Sequence, residues 1–468
     1  MASGGNIPTE LGTRKISTLL KQYAVPGIIA MTASSLYNMV DSIFIGHIPG
    51  VGSYAIAALA ICSPLMNIAV ALGTLVGVGA STIMSILLGQ NNYEVARKVL
   101  SNEVTLNIIL GLLFIFATIP FLDPILYFFG ASENTLPFAR DYMVIILLGN
   151  VITHLYFGLN SMIRAAGNPR LSMNLTIFTV VSNTILDPIF IFVLGMGIRG
   201  AAIATVLCQT MALAWTMKYF LDKDNFIHFP KKILGLDWRV AKDSLAIGLG
   251  PFLMNTASCI VALFINQQLR KYGGDLSIGA YGIAGRITFL FIMTVAGLNH
   301  GMQPIAGYNY GAKLYSRVRK VYYLTAAWAT LVTVIGFLIS EFLPGPVTSL
   351  FTNDPALKEL AAGSLRMMNT VFFIVGFQMV STNFFQSLGM VGKSVLLSLS
   401  RQLLFLVPLV WLLPRQMGIE GVWYSFPVSD FLAASLTVAL LVPLMRKFRS
   451  LKDGDNPTTI GSIIEETA

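Results

Sequence analysis

Apolar side chains in this chain come in long unbroken runs, not in alternation with polar ones. Twelve such runs stand at about 22–46, 55–80, 95–119, 139–163, 171–194, 200–221, 243–269, 278–302, 321–343, 362–387, 394–413 and 421–444. The stretches between them are short and carry most of the Gly, Pro, Asp and Lys. A helix rising 1.5 Å per residue needs about 20 residues to cross a hydrocarbon layer about 30 Å thick. Backbone in lipid must satisfy its own hydrogen bonds, which a helix does and an open strand does not. A transmembrane barrel would show alternating segments of about ten residues, and this chain does not. The pattern predicts an all-α integral membrane protein with twelve transmembrane helices.

The runs repeat. M-G-I-R-G at 196–200 returns as M-G-I-E-G at 417–421, and T-A-S at 32–34 returns at 256–258. G-Q-N-N-Y…R-K-V at 89–99 answers G-Y-N-Y-G…R-K-V at 307–321. R-A-A-G ending at Gly167 answers Q-S-L-G ending at Gly389, and Pro188 answers Pro408. The offsets stay between 218 and 224. Matches in the same order at near-constant offset indicate a duplicated six-helix unit, so the expected fold is two six-helix lobes related by an internal pseudo-two-fold. The expected division is an N-terminal lobe over 1–221, a cytoplasmic linker over 222–242, a C-terminal lobe over 243–452 and a polar, poorly ordered tail over 453–468. Transporters place substrate sites at such repeat interfaces and alternate access by rocking one half on the other.

Composition agrees. Of 468 residues, 55% are hydrophobic and 11% charged, against about 25% charged in a soluble domain. That excludes a soluble multidomain enzyme, a disordered chain and a nucleic-acid binder. The net charge of +9 has another origin. The termini side of the membrane collects 22 Lys and Arg, and the opposite loops hold only Arg140, Arg199, Arg270, Lys271, Lys358, Arg366 and Arg415. Positive loops stay inside, which places both termini in the cytoplasm and the chain in a plasma membrane, the bacterial inner membrane. The three cysteines lie in apolar runs and form no disulfide framework.

Ionisable groups within spans are costly and by default functional. Those singled out are Asp41, Asp187, Arg286, Arg401 and Asp430. Asp41 lies five residues before Gly46, Asp187 eight before Gly195, and Thr205 six after Arg199. All three then lie roughly 8–12 Å below the outer surface. Asn183 and Asp187 are one turn apart on one face. Pro188 cannot donate to the Thr184 carbonyl, which frees an oxygen and permits a helix kink. Asp41, Asn183, Asp187 and Thr205 therefore form a candidate coupling site for H⁺ or Na⁺. A carboxylate in a low-dielectric pocket can take up a proton near neutral pH, and the same oxygens suit a hard cation. The repeat counterparts of the acids, Val407 for Asp187 and Ile265 or Asn266 for Asp41, carry no acid, so coupling is expected in the first lobe alone.

Arg401 and Asp430 are close enough in depth for a C-lobe ion pair. Met side chains re-pack around varied ligands, and the candidate cavity wall is Tyr37, Met66, Asn67, Met162, Met173, Phe178, Met254, Phe289, Met293 and Gln378. The four histidines show no metal spacing, and no G-x-x-x-x-G-K-[ST] loop occurs. No metal, cofactor or enzymatic activity is expected.

L-Y-N-M-V-D-S-I-F-I-G at 36–46, G-Q-N-N-Y, R-A-A-G-N-P at 164–169, N-T-I-L-D-P at 183–188 and G-I-R-G-A-A-I-A-T at 197–205 resemble the MATE family, the multidrug and toxic compound extrusion transporters. The resemblance covers all twelve spans and is nearest to the prokaryotic MepA/DinF-type branch. It implies cation-coupled antiport and export of amphipathic, often cationic, drugs, and it points to the same four coupling positions; the expected protein is a monomer in the lipid bilayer. Some branches carry a Glu–Asp pair in the second lobe, and span seven here has no acid. A lipid-linked saccharide flippase of the same superfamily is the alternative. Its pyrophosphate cargo calls for several cations in the spans, where only Arg286 and Arg401 stand.

Overall fold

The computed structural model describes residues 9–352 and 354–455. Among them, ten helices are long and apolar enough to cross a membrane, and two bent pairs bring the number to twelve. We label them α1 to α12 in chain order. In the first half α1 is Ile16–Gly46, α2 Tyr54–Gly89, α3 Tyr93–Phe128, α4 Leu136–Leu148 with Asn150–Ala165, α5 Pro169–Val193 and α6 Gly197–Leu221. In the second, α7 is Trp238–Gly274, α8 Leu276–Gly311, α9 Tyr315–Phe342, α10 Pro355–Met368 with Phe372–Ser387, α11 Val391–Met417 and α12 Ile419–Ser450. The exposed apolar residues along them, such as Leu113 and Phe116 on α3, form a lipid-facing surface that water would not tolerate.

Several elements differ from the sequence expectation. Helix α2 runs to Gly89, beyond the expected end at 80. Ser81 and Ser85 do not break it, because their hydroxyls donate to the Val78 and Ser81 carbonyls of the same helix. Spans four and ten are not single straight helices. The halves of α4 meet at 54° around Gly149, where an added Cβ would lie 2.5 Å from Val206 Cγ2. The halves of α10 meet at 50°, and Asn369 at the break donates to Thr288 Oγ1 and Ser340 Oγ, each at 3.0 Å. The chain breaks between α7 and α8 at Gly274, the last residue of α7, with φ 70° and ψ −173°.

The repeated motifs are turn motifs. Gly167 ends α4 with φ 97°, Asn168 Oδ1 caps α5 by accepting from Leu171 N at 3.2 Å, and Pro169 opens the helix. Its counterpart Gly389 also has positive φ, 72°. The same holds for Gly197 and Gly418, at 58° and 62°, and for Asn91 and Lys313, at 59° and 57°. Only glycine takes this region freely, which accounts for the glycines kept at matching offsets.

By internal contacts the described chain divides into two compact units. One holds 9–13 and 29–252, the other 14–28 and 253–455. The division passes through α1 and α7, not through the 222–242 segment expected as the linker. That segment is fastened to α3. Ser101 Oγ donates to Lys232 O at 3.0 Å, Asp237 N donates to Asn102 Oδ1 at 2.8 Å, and Gly235 N donates to Thr105 Oγ1 at 3.2 Å. The expected tail also starts tied down: Gly454 N donates to Lys313 O and Ser316 N to Asp453 Oδ1, both at 2.9 Å. Residues 456–468 of it lie outside the described part.

In the first unit, Gly77 of α2 meets Gly158 of α4 so closely that an added Cβ would lie 2.7 Å from the Gly158 Cα. Small residues let membrane helices approach in this way. An apolar cluster of Ile45, Cys62, Tyr142, Leu147 and Ile198 closes the end of this unit beside the acids.

Candidate functional site

Asp41 and Asp187 are buried in the first unit, with 7% and 0% exposure. Their carboxyl groups lie within hydrogen-bonding reach of each other. On α5, Asn183 Nδ2 donates to Asp187 Oδ1 at 2.6 Å. From α6, Thr205 Oγ1 donates to Asn183 Oδ1 at 3.5 Å. From α1, the Tyr37 hydroxyl stands 3.2 Å from Thr205 Oγ1. Three helices thus bring the four coupling candidates into one connected group. Tyr37, which sequence analysis set among cavity residues, belongs to the same group.

Two oxygens of the group, Asp41 Oδ1 and Asp187 Oδ2, are buried without a hydrogen-bond partner. Two carboxyl groups can hydrogen-bond each other only through a proton, and two ionised ones this close repel. The arrangement can bind a proton between the acids or present oxygens to a small cation. Tyr142 of α4, fully buried, and Cys208 of α6 stand within electrostatic range of the acids. Sequence reasoning passed over both. Each sits in an apolar run with nothing local to mark the direction it faces.

Pro188 does not simply kink α5. The helix continues as a π-helical turn over Ile189–Val193, with Leu194 N donating to Ile189 O at 2.9 Å. The second unit repeats the device, with a π-helical stretch over Ser400–Leu406 just before Pro408. Single π turns inside helices recur at functional sites. Where the first unit has acids, the second has an apolar cluster that includes Ile265, Leu406, Val407 and Val410.

Arg401 lies in that second π stretch. Its Nε is 2.6 Å from Asp430 Oδ1 and its Nη2 3.4 Å from Oδ2, and Ser429 Oγ donates to the Arg401 carbonyl. The pair lines a cavity of about 250 Å³ within the second unit, together with Tyr281, Phe289, Gln402 and Phe426. Arg286 is exposed and does not line it.

The other cavity candidates are scattered. Met66 packs against the apolar cluster near the acids, and Asn67 is exposed. Phe178 stacks edge-on against Trp215 at 5.7 Å, and Met173 is half-buried. Met162 is fully buried and so forms no part of an open wall in this conformation. In the second unit Met254 is exposed and Met293 is half-buried, and neither joins Phe289 in lining the cavity. Gln378 is buried, with Oε1 unpartnered.

Sequence reasoning also missed Glu103. It stands eight residues inside the third run, with Asn107 one turn on, and that spacing was the available signal.

Known proteins share this fold. The chain is 34% identical to the MATE multidrug transporter DinF-BH, solved with a bound ligand, with a TM-score of 0.87 over 97% of this chain and 100% of that one. A MATE transporter crystallised in a straight conformation shares the fold, with a TM-score of 0.89 at 24% identity over 96% of this chain and 100% of its own. The multidrug export protein MepA of Staphylococcus aureus (strain MSSA476) is 28% identical over 427 residues, 91% of this chain and 93% of the relative. The MatE family model matches twice, over residues 26–189 and 246–412, one match for each half of the repeat. The chain belongs to the MatE family and is a multi-pass membrane protein with the two-lobed MATE transporter fold.

Proposed function

We propose that this chain is a secondary active multidrug exporter that antiports amphipathic, often cationic, compounds against protons. The Asp41–Asp187 contact carries the proton part of the reading, since two buried carboxyl groups within hydrogen-bonding reach call for a proton between them. The drug part is supported by the relatives, named multidrug export proteins, and by the ligand-bound structure of the multidrug transporter DinF-BH.

In this scheme Asp41 and Asp187 share the proton. Asn183 holds one Asp187 oxygen, and Thr205 and Tyr37 hold Asn183 in place. A cationic drug near an ionised pair gains electrostatic stabilisation, which is lost when protons neutralise the acids. Proton entry therefore drives the cation off. Both termini face the cytoplasm, by the excess of Lys and Arg on their side.

Sodium is the second reading, favoured by the concentration of oxygen donors around Asp187. Initial rates of dye flux in proteoliposomes, under a pH gradient alone and a sodium gradient alone, separate the two. Flux driven by pH without sodium supports the proton reading. Flux driven only by sodium overturns it.

A further inference from the structure

Glu103 on α3 is fully buried, and the scheme above does not use it. Its Oε1 accepts a short hydrogen bond from Asn107 Nδ2. Gly158 on α4 makes room: a Cβ there would lie 1.8 Å from Glu103 Oε1 and 2.6 Å from Asn107 Nδ2. One turn from Gly158 stands His154, also fully buried, packed between α2 and α3. A Cβ at Gly73 of α2 would lie 3.0 Å from its Cδ2, and one at Gly111 of α3 would lie 3.4 Å from its Nδ1.

The hydrogen-bond inventory of this junction lacks a hydrogen. His154 Nε2 is 2.8 Å from the Ala69 carbonyl. A carbonyl only accepts, so Nε2 carries the hydrogen and Nδ1 of the neutral ring is a bare acceptor. His154 Nδ1, Glu103 Oε2 and Asn107 Oδ1 are all buried without a partner. These are three acceptors in one dry junction of three helices. A buried acceptor without a donor is costly, and a buried charge without a partner more so. One added proton on Glu103 Oε2 turns an acceptor into a donor among acceptors. It also brings the junction to zero net charge.

The surroundings supply no substitute. Helix α2 has no charged side chain between Gly52 and Gly89. On α3, Lys98 pairs with Glu94 at 3.2 Å, and Arg97 donates to the Phe226 carbonyl. On α4, Arg164 donates to Ser161 and Ser172, and the Tyr156 hydroxyl accepts from Thr179. The start of α7 packs here through Ala241, and its Asp243 has interactions of its own.

We propose that Glu103, held by Asn107 and walled by Gly158, forms a second proton-binding site in the first unit, with one exchangeable proton on the Glu103 carboxyl and His154, one turn from Gly158, tuning it. It is separate from the acid pair. Glu103 lies ten residues from the start of α3 and Asp187 eighteen from the start of α5. Both starts are on one side of the membrane, so Glu103 lies roughly 12 Å nearer that side. An exporter coupled through Asp41 and Asp187 alone has no need of it, so the proposal stands or falls apart from the coupling scheme.

The test is infrared difference spectroscopy of the purified full chain in lipid, acid minus alkaline, in the D41N/D187N background, with proton uptake counted in parallel. The expected result is a protonated-carboxyl stretching band that E103Q erases, with one proton fewer taken up per chain. H154N should keep the band and shift its titration midpoint. If E103Q does not accumulate, E103D should move the band without abolishing it. Replacing sodium with choline should change nothing. An unchanged spectrum and proton count in E103Q, an unmoved band in E103D, or a band that responds to sodium overturns the proposal.

Discussion

The Tyr37 hydroxyl on α1 and the Thr205 hydroxyl on α6 stand 3.2 Å apart although 168 residues separate them. That contact closes a ring. Thr205 reaches Asn183, Asn183 reaches Asp187, Asp187 meets Asp41, and Asp41 lies one turn from Tyr37 on the same helix. Moving any one member moves the acids against each other.

Asp41→Asn and Asp187→Asn should each abolish proton-driven export while the protein still inserts and purifies as a single species. Asparagine keeps the shape and removes the exchangeable proton. Thr205→Val should do less. It removes two hydrogen bonds worth about 1 kcal/mol each, so export should fall several-fold and remain measurable. Vesicle flux at matched protein density checks all three. Normal pumping by either Asn variant would remove that acid from the coupling group.

The coupling chemistry is expected to be confined to the first unit. Asn266→Ala, beside the second-unit counterpart of Asp41, should leave the ion dependence of flux intact even if drug affinity changes. Loss of ion dependence with drug binding retained would contradict this. The measurement is a pair, drug binding in detergent and flux against a proton gradient.

Pro188→Ala should restore a donor to the Thr184 carbonyl and regularise the turn that now passes into the π stretch over Ile189–Val193. The expected outcome is a slower initial export rate with little change in equilibrium drug binding. An unchanged rate would show that the local geometry of α5 does not enter the cycle.

Arg401 and Asp430 form an ion pair in which the Asp side chain is 7% exposed and the Arg 26%. Removing one partner strands the other, at a cost of about 2–4 kcal/mol. Arg401→Met and Asp430→Leu should each lower the unfolding midpoint, and the double variant should lie above the worse single. Thermal unfolding in detergent reads this. Additive losses would mean that the two side chains do not act as a pair.

Much of the fold was legible because lipid allows so few backbone solutions. Apolar runs of the right length had to be helices, and the constant offset of the turn motifs exposed the duplication. The bends in α4 and α10 were not legible. Gly149 and Asn369 act there through Val206, Thr288 and Ser340, which come from distant parts of the chain. In the site, the Asn183–Asp187 contact follows from helical spacing within one element. Tyr37 facing Thr205 depends on the rotation of two helices about their axes, which no local pattern records. Glu103 is marked in the sequence only by its place eight residues inside the third run, and what buries it comes from a distant part of the chain. The structure shows the start of α3 covered by the 222–242 segment.

Substrate-induced proton release tests the central claim most directly. The purified chain in weakly buffered detergent is mixed with a saturating lipophilic cationic dye, and the pH of the solution is followed. The account predicts that binding releases protons from the wild-type chain and none from the D41N/D187N variant, at equal occupancy by dye fluorescence. Equal proton release from both, or dye binding without release from the wild type, would contradict the exchange of drug for proton at Asp41 and Asp187.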